Sequence, residues 1–378
     1  MTDKKPKIYF NGLDGLRAIA AFAVVFHHIE FYKYRDGISS LFDFRFTRFF
    51  IFHLGENGVF LFFVLSGFLI TYLLFDEKDR FNKISLKKFY LRRVYRIWPL
   101  YYLVVCTSFF LLPLFTNKMN IFSASPYYYS QVTNLSNYSI KSFLLFITFL
   151  PNVALLVYDK FIVGCSQVWS VGIEEQFYIF WPLLIIIFSK KQIIGVFLII
   201  ILFFGFTDYS FNPLLKIINK TFPFQYMAIG SLGAVIYKYH KEKIINILQK
   251  KLFYYLILIA IFLLLFFDVT NHLYQNFLLS FLFLSLILIT INSNFRLLNH
   301  SLIVYLGKVS YGIYMYHFLA MYFIIPAANK YLLENLYLYN LVIYILIFLL
   351  TIILSHFSYK YFESYFLRIK EKKFVQDL

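Results

Sequence analysis

The chain has 378 residues, of which 61% are hydrophobic and 15% charged, and its formal net charge is +17. A soluble globular chain of this size could not cover itself with so little polar surface, so the sequence reads as an integral membrane protein. The basic residues sit between apolar runs of spanning length, as the flanks of transmembrane helices do, which argues against a nucleic-acid partner.

In chain order, apolar runs of about the 20 residues that cross a hydrocarbon core fall near 16–32, 57–75, 97–115, 170–188, 192–207, 222–237, 252–268, 273–291, 302–325 and 338–360. The predicted fold is an all-α polytopic membrane protein with about ten transmembrane helices. A further run, 142–158, is interrupted by Pro151 and Asn152 and ends in Tyr158, Asp159 and Lys160, so it is read as a possible re-entrant segment. Loop charge favours that reading, because short cytoplasmic loops are enriched in Lys and Arg. With the N-terminus inside, cytoplasmic segments collect Lys4, Lys5 and Lys7, the stretch DEKDRFNKISLKKFYLRRVYR, Lys190 and Lys191, and the lysines from Lys238 to Lys251. Letting 142–158 cross would move the last two groups outside. Both termini are therefore expected in the cytoplasm.

Residues 1–378 read as a single membrane domain with a core over about 11–363 and a basic cytoplasmic tail over 364–378. A cleavable signal peptide is not expected, since the first run carries histidines and no small-residue cleavage pattern. Asn-X-Ser triplets at Asn134, Asn137 and Asn299 arise readily by chance and receive no weight. Cys106 and Cys165 supply neither a disulfide framework nor metal-ligand spacing, so no metal is expected. Cys165 as a nucleophile would need an activating electropositive site that the sequence does not supply.

Ionisable groups inside a helix bundle are costly and are functional candidates by default. In RAIAAFAVVFHH, Arg17 and His28 lie eleven positions apart, three helical turns on one face with a rise of about 16 Å, whereas His27 points about 100° away. Counted from the outside, WSVGIEEQFYIFWP brings Glu174 and Glu175 about one turn in, near the depth expected for His28. GKVSYGIYMYH brings Tyr311 and His317 in support, with His317 at a similar level. A histidine beside a carboxylate suits general acid-base chemistry, since the carboxylate fixes the imidazole tautomer. A lone buried histidine would more often just bond a neighbouring helix. At the cytoplasmic end, Arg92, Arg93 and Arg96 in LRRVYRIWP join Arg17, and arginines near helix N-termini make a phosphate-binding surface. The plainer account of RRVYR is that it follows the positive-inside rule. The small residues Gly55, Gly58, Ser66 and Gly67 are expected to serve close helix packing.

Five stretches in order, LDGLRAIAAFAVVFHH, GVFLFFVLSGFLI, FYLRRVYRIWPLYY, WSVGIEEQFYIFWP and LGKVSYGIYMYH, resemble the membrane-bound acyltransferase type 3 family, which includes bacterial surface-glycan O-acetyltransferases. The resemblance runs from about residue 11 to 363. It implies a ten-helix acyltransferase that moves an acyl group, usually acetyl, from cytoplasmic acetyl-CoA to a hydroxyl of a glycan or lipid-linked glycan, in the bacterial cytoplasmic (inner) membrane. It further implies that His28 is the essential histidine, that Arg17 is its basic partner, that Arg93 and Arg96 serve the donor, and that Glu174 is the motif glutamate. Val171 replaces the usual Leu of that motif, and YFESYF at the closing helix keeps Glu363 but departs from the usual residues after it. An appended hydrolase-like domain, which some members carry, is not expected here. The expected chemistry has His28 and Glu174 as the catalytic pair, and Arg17, Arg92, Arg93 and Arg96 as the donor-binding group. A transporter or flippase of a lipid-linked sugar, or an acylase of a small molecule or lipid, would also account for intramembrane charges.

Overall fold

The computed structural model describes residues 8–133, 138–158, 162–207, 212–248, 251–267, 272–293 and 295–375. Lys4, Lys5, Lys7, Asn134, Asn137, Asp159 and Lys160 lie outside the described residues, as does the end of the tail from 376.

The described chain is helical throughout. It begins with α1 (Leu13–Arg35), α2 (Arg45–Phe81) and α3 (Leu86–Cys106), the last of which runs on through a π-helical turn, Thr107–Leu111, into α4 (Leu112–Lys118). Three short helices follow, α5 (Pro126–Thr133), α6 (Ile140–Ile147) and α7 (Pro151–Tyr158). Then come α8 (Val168–Ile187), α9 (Lys190–Thr207), α10 (Pro213–Thr221), α11 (Phe224–Leu248), α12 (Lys251–Phe266) and α13 (His272–Asn292). The chain closes with α14 (Ser301–Lys308), α15 (Ser310–Leu332), α16 (Leu336–Phe357), a second π-helical turn at Ser358–Glu363, and α17 (Ser364–Val375).

Among the described residues, six helices are long and apolar enough to cross a membrane: Arg45–Phe81, Leu86–Thr116, Val168–Ile187, Tyr274–Asn292, Ser310–Leu332 and Leu336–Lys370. The other expected runs, near 16–32, 192–207, 222–237 and 252–268, are also helical, as α1, α9, α11 and α12. Of these, α1, α11 and α12 fall short of that standard because of the ionisable groups in α1, the charged second half of α11 and the 16-residue length of α12.

The run 142–158 forms no single long helix. It breaks between α6 and α7, where Phe149 takes a φ of 60° and stacks on Tyr101 with ring centroids 4.3 Å apart. Side chains from neighbouring helices satisfy the carbonyls at the break: Tyr101 donates to the Phe146 oxygen at 2.7 Å, Tyr102 to Ile147 at 3.1 Å, and Gln176 Nε2 to Phe149 at 2.8 Å. Irregular backbone is tolerated at membrane depth only when its polar groups are paired within protein, and this turn meets that condition. Within the segment read as a basic tail, residues 364–375 form α17, which packs against α3.

The middle of the bundle is set by a close crossing of α2 and α11. A Cβ added at Gly67 would lie 2.0 Å from the Met227 carbonyl oxygen, and one at Gly230 would lie 2.1 Å from that of Val64. Glycine is required at both, because backbones this close leave no room for a side chain. Beside the crossing, Thr71 donates to Ser231 Oγ at 2.8 Å and accepts from Trp181 Nε1 at 2.7 Å, which ties α8 to the same layer.

Candidate active site

The site is built along α1, which runs without interruption from Leu13 to Arg35 and so holds Arg17 and His28 in fixed register. Around Arg17 the bundle encloses a cavity of about 320 Å³. Its polar lining comes from Tyr9, Asp14 and Arg17 at the start of the chain, Ser66 of α2, Arg93 and Arg96 of α3, Ser170, Glu174 and Tyr178 of α8, and Ser310, Tyr311 and Tyr314 of α15.

Helical spacing explains which of the three α3 arginines reach the cavity. Positions three apart share a face, so Arg93 and Arg96 both line it. Arg92 turns away and pairs with Glu77 at 3.0 Å. Of the four arginines expected to act together, the structure therefore brings Arg17, Arg93 and Arg96 to the cavity and leaves Arg92 outside it. Arg93 lies over the Tyr178 ring, 5.3 Å from its centroid, and its Nε is buried without a protein partner. Arg17 meets Asp14 at only 3.4 Å, and Asp14 also accepts from the Tyr9 hydroxyl at 3.0 Å. Arg96 is exposed at the cavity wall. The cavity therefore gathers cationic donors that the protein leaves incompletely satisfied.

Glu174 sits among them. It accepts from Tyr178 at 3.2 Å and interacts electrostatically with Arg93, Arg17 and Arg96. Tyr178 in turn shares a 2.5 Å hydrogen bond with Ser66. Glu175 faces away from the cavity, accepting from Trp98 Nε1 at 2.9 Å while its other oxygen is buried without a partner.

His28 is not on the cavity wall. Its Nδ1 lies 3.2 Å from Nε2 of His317, and its ring packs 4.5 Å from that of Phe318. His317 is fully buried, with Nδ1 2.6 Å from the Tyr314 carbonyl oxygen. The carboxylate expected beside His28 is thus replaced by a second imidazole, and Glu174 stands at the level of the arginines instead. The reason lies in the approach to α8: Ile162, Val163, Cys165 and Gln167 are at most 4% exposed, so the helix starts well below the protein surface. Counting depth from the first apolar residue therefore places Glu174 too far out.

His27 diverges from its neighbour as the 100° step requires. Its Nδ1 bonds the Ile51 carbonyl at 2.7 Å, and its ring occupies the space over Gly55, where an added Cβ would lie 2.6 Å from it. Cys165 is fully buried and does not line the cavity.

Tyr314 connects the two centres. Its side chain lines the cavity, its hydroxyl lies 2.7 Å from Ser170 Oγ and donates to the Gln167 carbonyl at 2.9 Å, and its own carbonyl meets His317. Tyr314, Tyr178, Ser170 and Asp14 were not singled out from sequence. The available signal was spacing: Tyr314 lies three residues from both Tyr311 and His317, and Asp14 three residues before Arg17. Among the described residues, no group of three His, Cys, Asp or Glu side chains converges as a metal site would require.

Residues 10–359 match the family model described as an acyltransferase domain. The chain belongs to this acyltransferase family. A Staphylococcus aureus (strain COL) protein named "Putative O-acetyltransferase SACOL0978" is 28% identical over 97% of the chain and 58% of its own length. The O-acetyltransferase OatA of Staphylococcus aureus (strain NCTC 8325 / PS 47) is 26% identical over 94% of the chain and 57% of its own. The peptidoglycan O-acetyltransferase OatA of Listeria monocytogenes is 29% identical over 50% of the chain and 26% of its own. The chain thus spans less than two thirds of the length of these curated relatives. No solved structure matches it.

Proposed function

We propose that the protein is an O-acyltransferase of the bacterial cytoplasmic (inner) membrane that moves an acetyl group from acetyl-CoA to a hydroxyl of a surface carbohydrate. The observation that carries this reading is the convergence of Arg17, Arg93 and Arg96 on one cavity whose far wall, Tyr314, also contacts the His28–His317 pair. Incompletely satisfied guanidinium groups converging on one cavity suit the phosphates of coenzyme A, which form strong charge-assisted hydrogen bonds. The thin pantetheine arm would run past Tyr314 toward His28. O-acetyltransferase relatives support acetyl as the group and a glycan as the acceptor.

In this reading His28 takes the proton of the acceptor hydroxyl while its oxygen attacks the thioester carbonyl. The carbon–sulfur bond breaks, and the thiolate recovers the proton from His28 to leave as free coenzyme A. In the same reading Glu174 holds Tyr178 and balances the arginines of the donor site.

The test is transfer by the purified full chain in lipid, using radiolabelled acetyl-CoA and isolated surface glycan or peptidoglycan fragments. Label appearing on the acceptor in the native protein, and absent with His28→Ala, is the expected result. Movement of a lipid-linked sugar across liposomes without acetyl transfer would overturn it.

A further inference from the structure

The geometry of the histidine pair fixes where its protons sit, which deepens the acyltransferase reading and rests on it. A backbone carbonyl can only accept, so the His317 Nδ1 that lies 2.6 Å from the Tyr314 oxygen carries a hydrogen. His317 is fully buried, and the groups acting on it are His28, His27, Phe318 and backbone carbonyls, with no carboxylate among them. An imidazolium there would be desolvated with no counter-charge, so His317 is neutral and its Nε2 holds a lone pair. The 3.2 Å contact to His28 then needs a hydrogen on His28 Nδ1.

We infer that His317 is a positioning residue that holds His28 in its Nδ1–H tautomer, leaving His28 Nε2 as the atom that receives the acceptor's proton. The O–H bond breaks toward Nε2, the oxygen bonds the acyl carbon, the sulfur leaves, and the proton returns from Nε2 to sulfur. While His28 is cationic, the hydrogen bond from its Nδ1 to His317 becomes charge-assisted and strengthens. A neutral imidazole anchored on a backbone carbonyl thus does the orienting that a carboxylate does in other dyads, without placing a second buried charge beside the first.

The direct test is nitrogen-15 NMR of the full chain, labelled at histidine and held in lipid nanodiscs, with the His28 signals identified by their loss in His28→Gln. A neutral His28 with its hydrogen on Nδ1 is expected; a hydrogen on Nε2 overturns the inference, whatever the protein's activity. The kinetic test compares two variants in acetyl transfer. His317→Gln offers an amide oxygen to the same donor and should keep kcat within about tenfold, whereas His317→Leu should lose about 100-fold or more, with KM for acetyl-CoA within about twofold. Equal losses in both variants, or none in His317→Leu, would overturn it. If the native protein transfers no acetyl group, the acyltransferase reading fails, while the NMR result still decides the tautomer.

Discussion

The two ends of α1 solve opposite problems. Around Arg17 the protein leaves hydrogen-bonding capacity open: Arg93 Nε has no protein partner, and the Arg17–Asp14 contact is long, at 3.4 Å. Around His28 it closes that capacity, with both nitrogens of His317 and one of His28 committed to partners within the protein. Open valences in a buried cavity suit a ligand that must bind and leave, because an unmet buried donor is costly until something fills it. Committed valences suit a group that must hold one tautomer through every turnover.

Substitutions that exchange one character for the other should separate binding from chemistry. The largest effect is expected for His28→Ala, which removes the base and should lower kcat by about 10²–10⁴-fold while leaving equilibrium binding of coenzyme A, measured by calorimetry, unchanged. A parallel loss of binding would mean that the two ends are not separable. Next, Arg93→Gln removes a charged donor worth about 1.5–3 kcal/mol, so KM for acetyl-CoA should rise by about 10–100-fold with a smaller change in kcat. An unchanged KM would remove Arg93 from the donor site.

His27→Ala should be milder. It gives up the bond to the Ile51 carbonyl, so a loss of stability of about 1 kcal/mol is expected, read as a lowered unfolding temperature, with kcat changed by less than about threefold. A deeper loss of activity would give His27 a part in the chemistry that its geometry denies. The smallest effect is expected for Arg92→Gln, whose partly exposed pair with Glu77 should contribute about 0–1 kcal/mol. Its KM should match the native value, in contrast with its neighbour Arg93.

Much of this arrangement follows from periodicity, and the remainder shows where periodicity stops. The helical step on α1 separates His27 from His28 because both lie on one rigid rod, and the same rule brings Arg93 and Arg96 to one face. It also separates Arg92 from that face, but naming the cavity side required Glu77, which belongs to another helix. Glu174 was misplaced in depth because hydropathy marks where apolar residues begin, not where the surface lies. The segment before α8 dips into the protein, so the helix starts low. The break at 142–158 is visible in Pro151 and Asn152, whereas its stability comes from Tyr101, Tyr102 and Gln176, which no local pattern links to it.

The sequence alone determined that this is a helical, membrane-embedded chain, which residues share a face of each helix, and which motifs carry its family resemblance. These properties depend on composition and on spacing within single helices. Only the tertiary structure decided that His28 partners His317 rather than Glu174, that Arg92 leaves the arginine group, and that Tyr314 stands between the cavity and the histidines. Each of those outcomes depends on the relative depth and rotation of two helices. Close packing sets both, through contacts such as those at Gly67 and Gly230 that lie far from the residues they position.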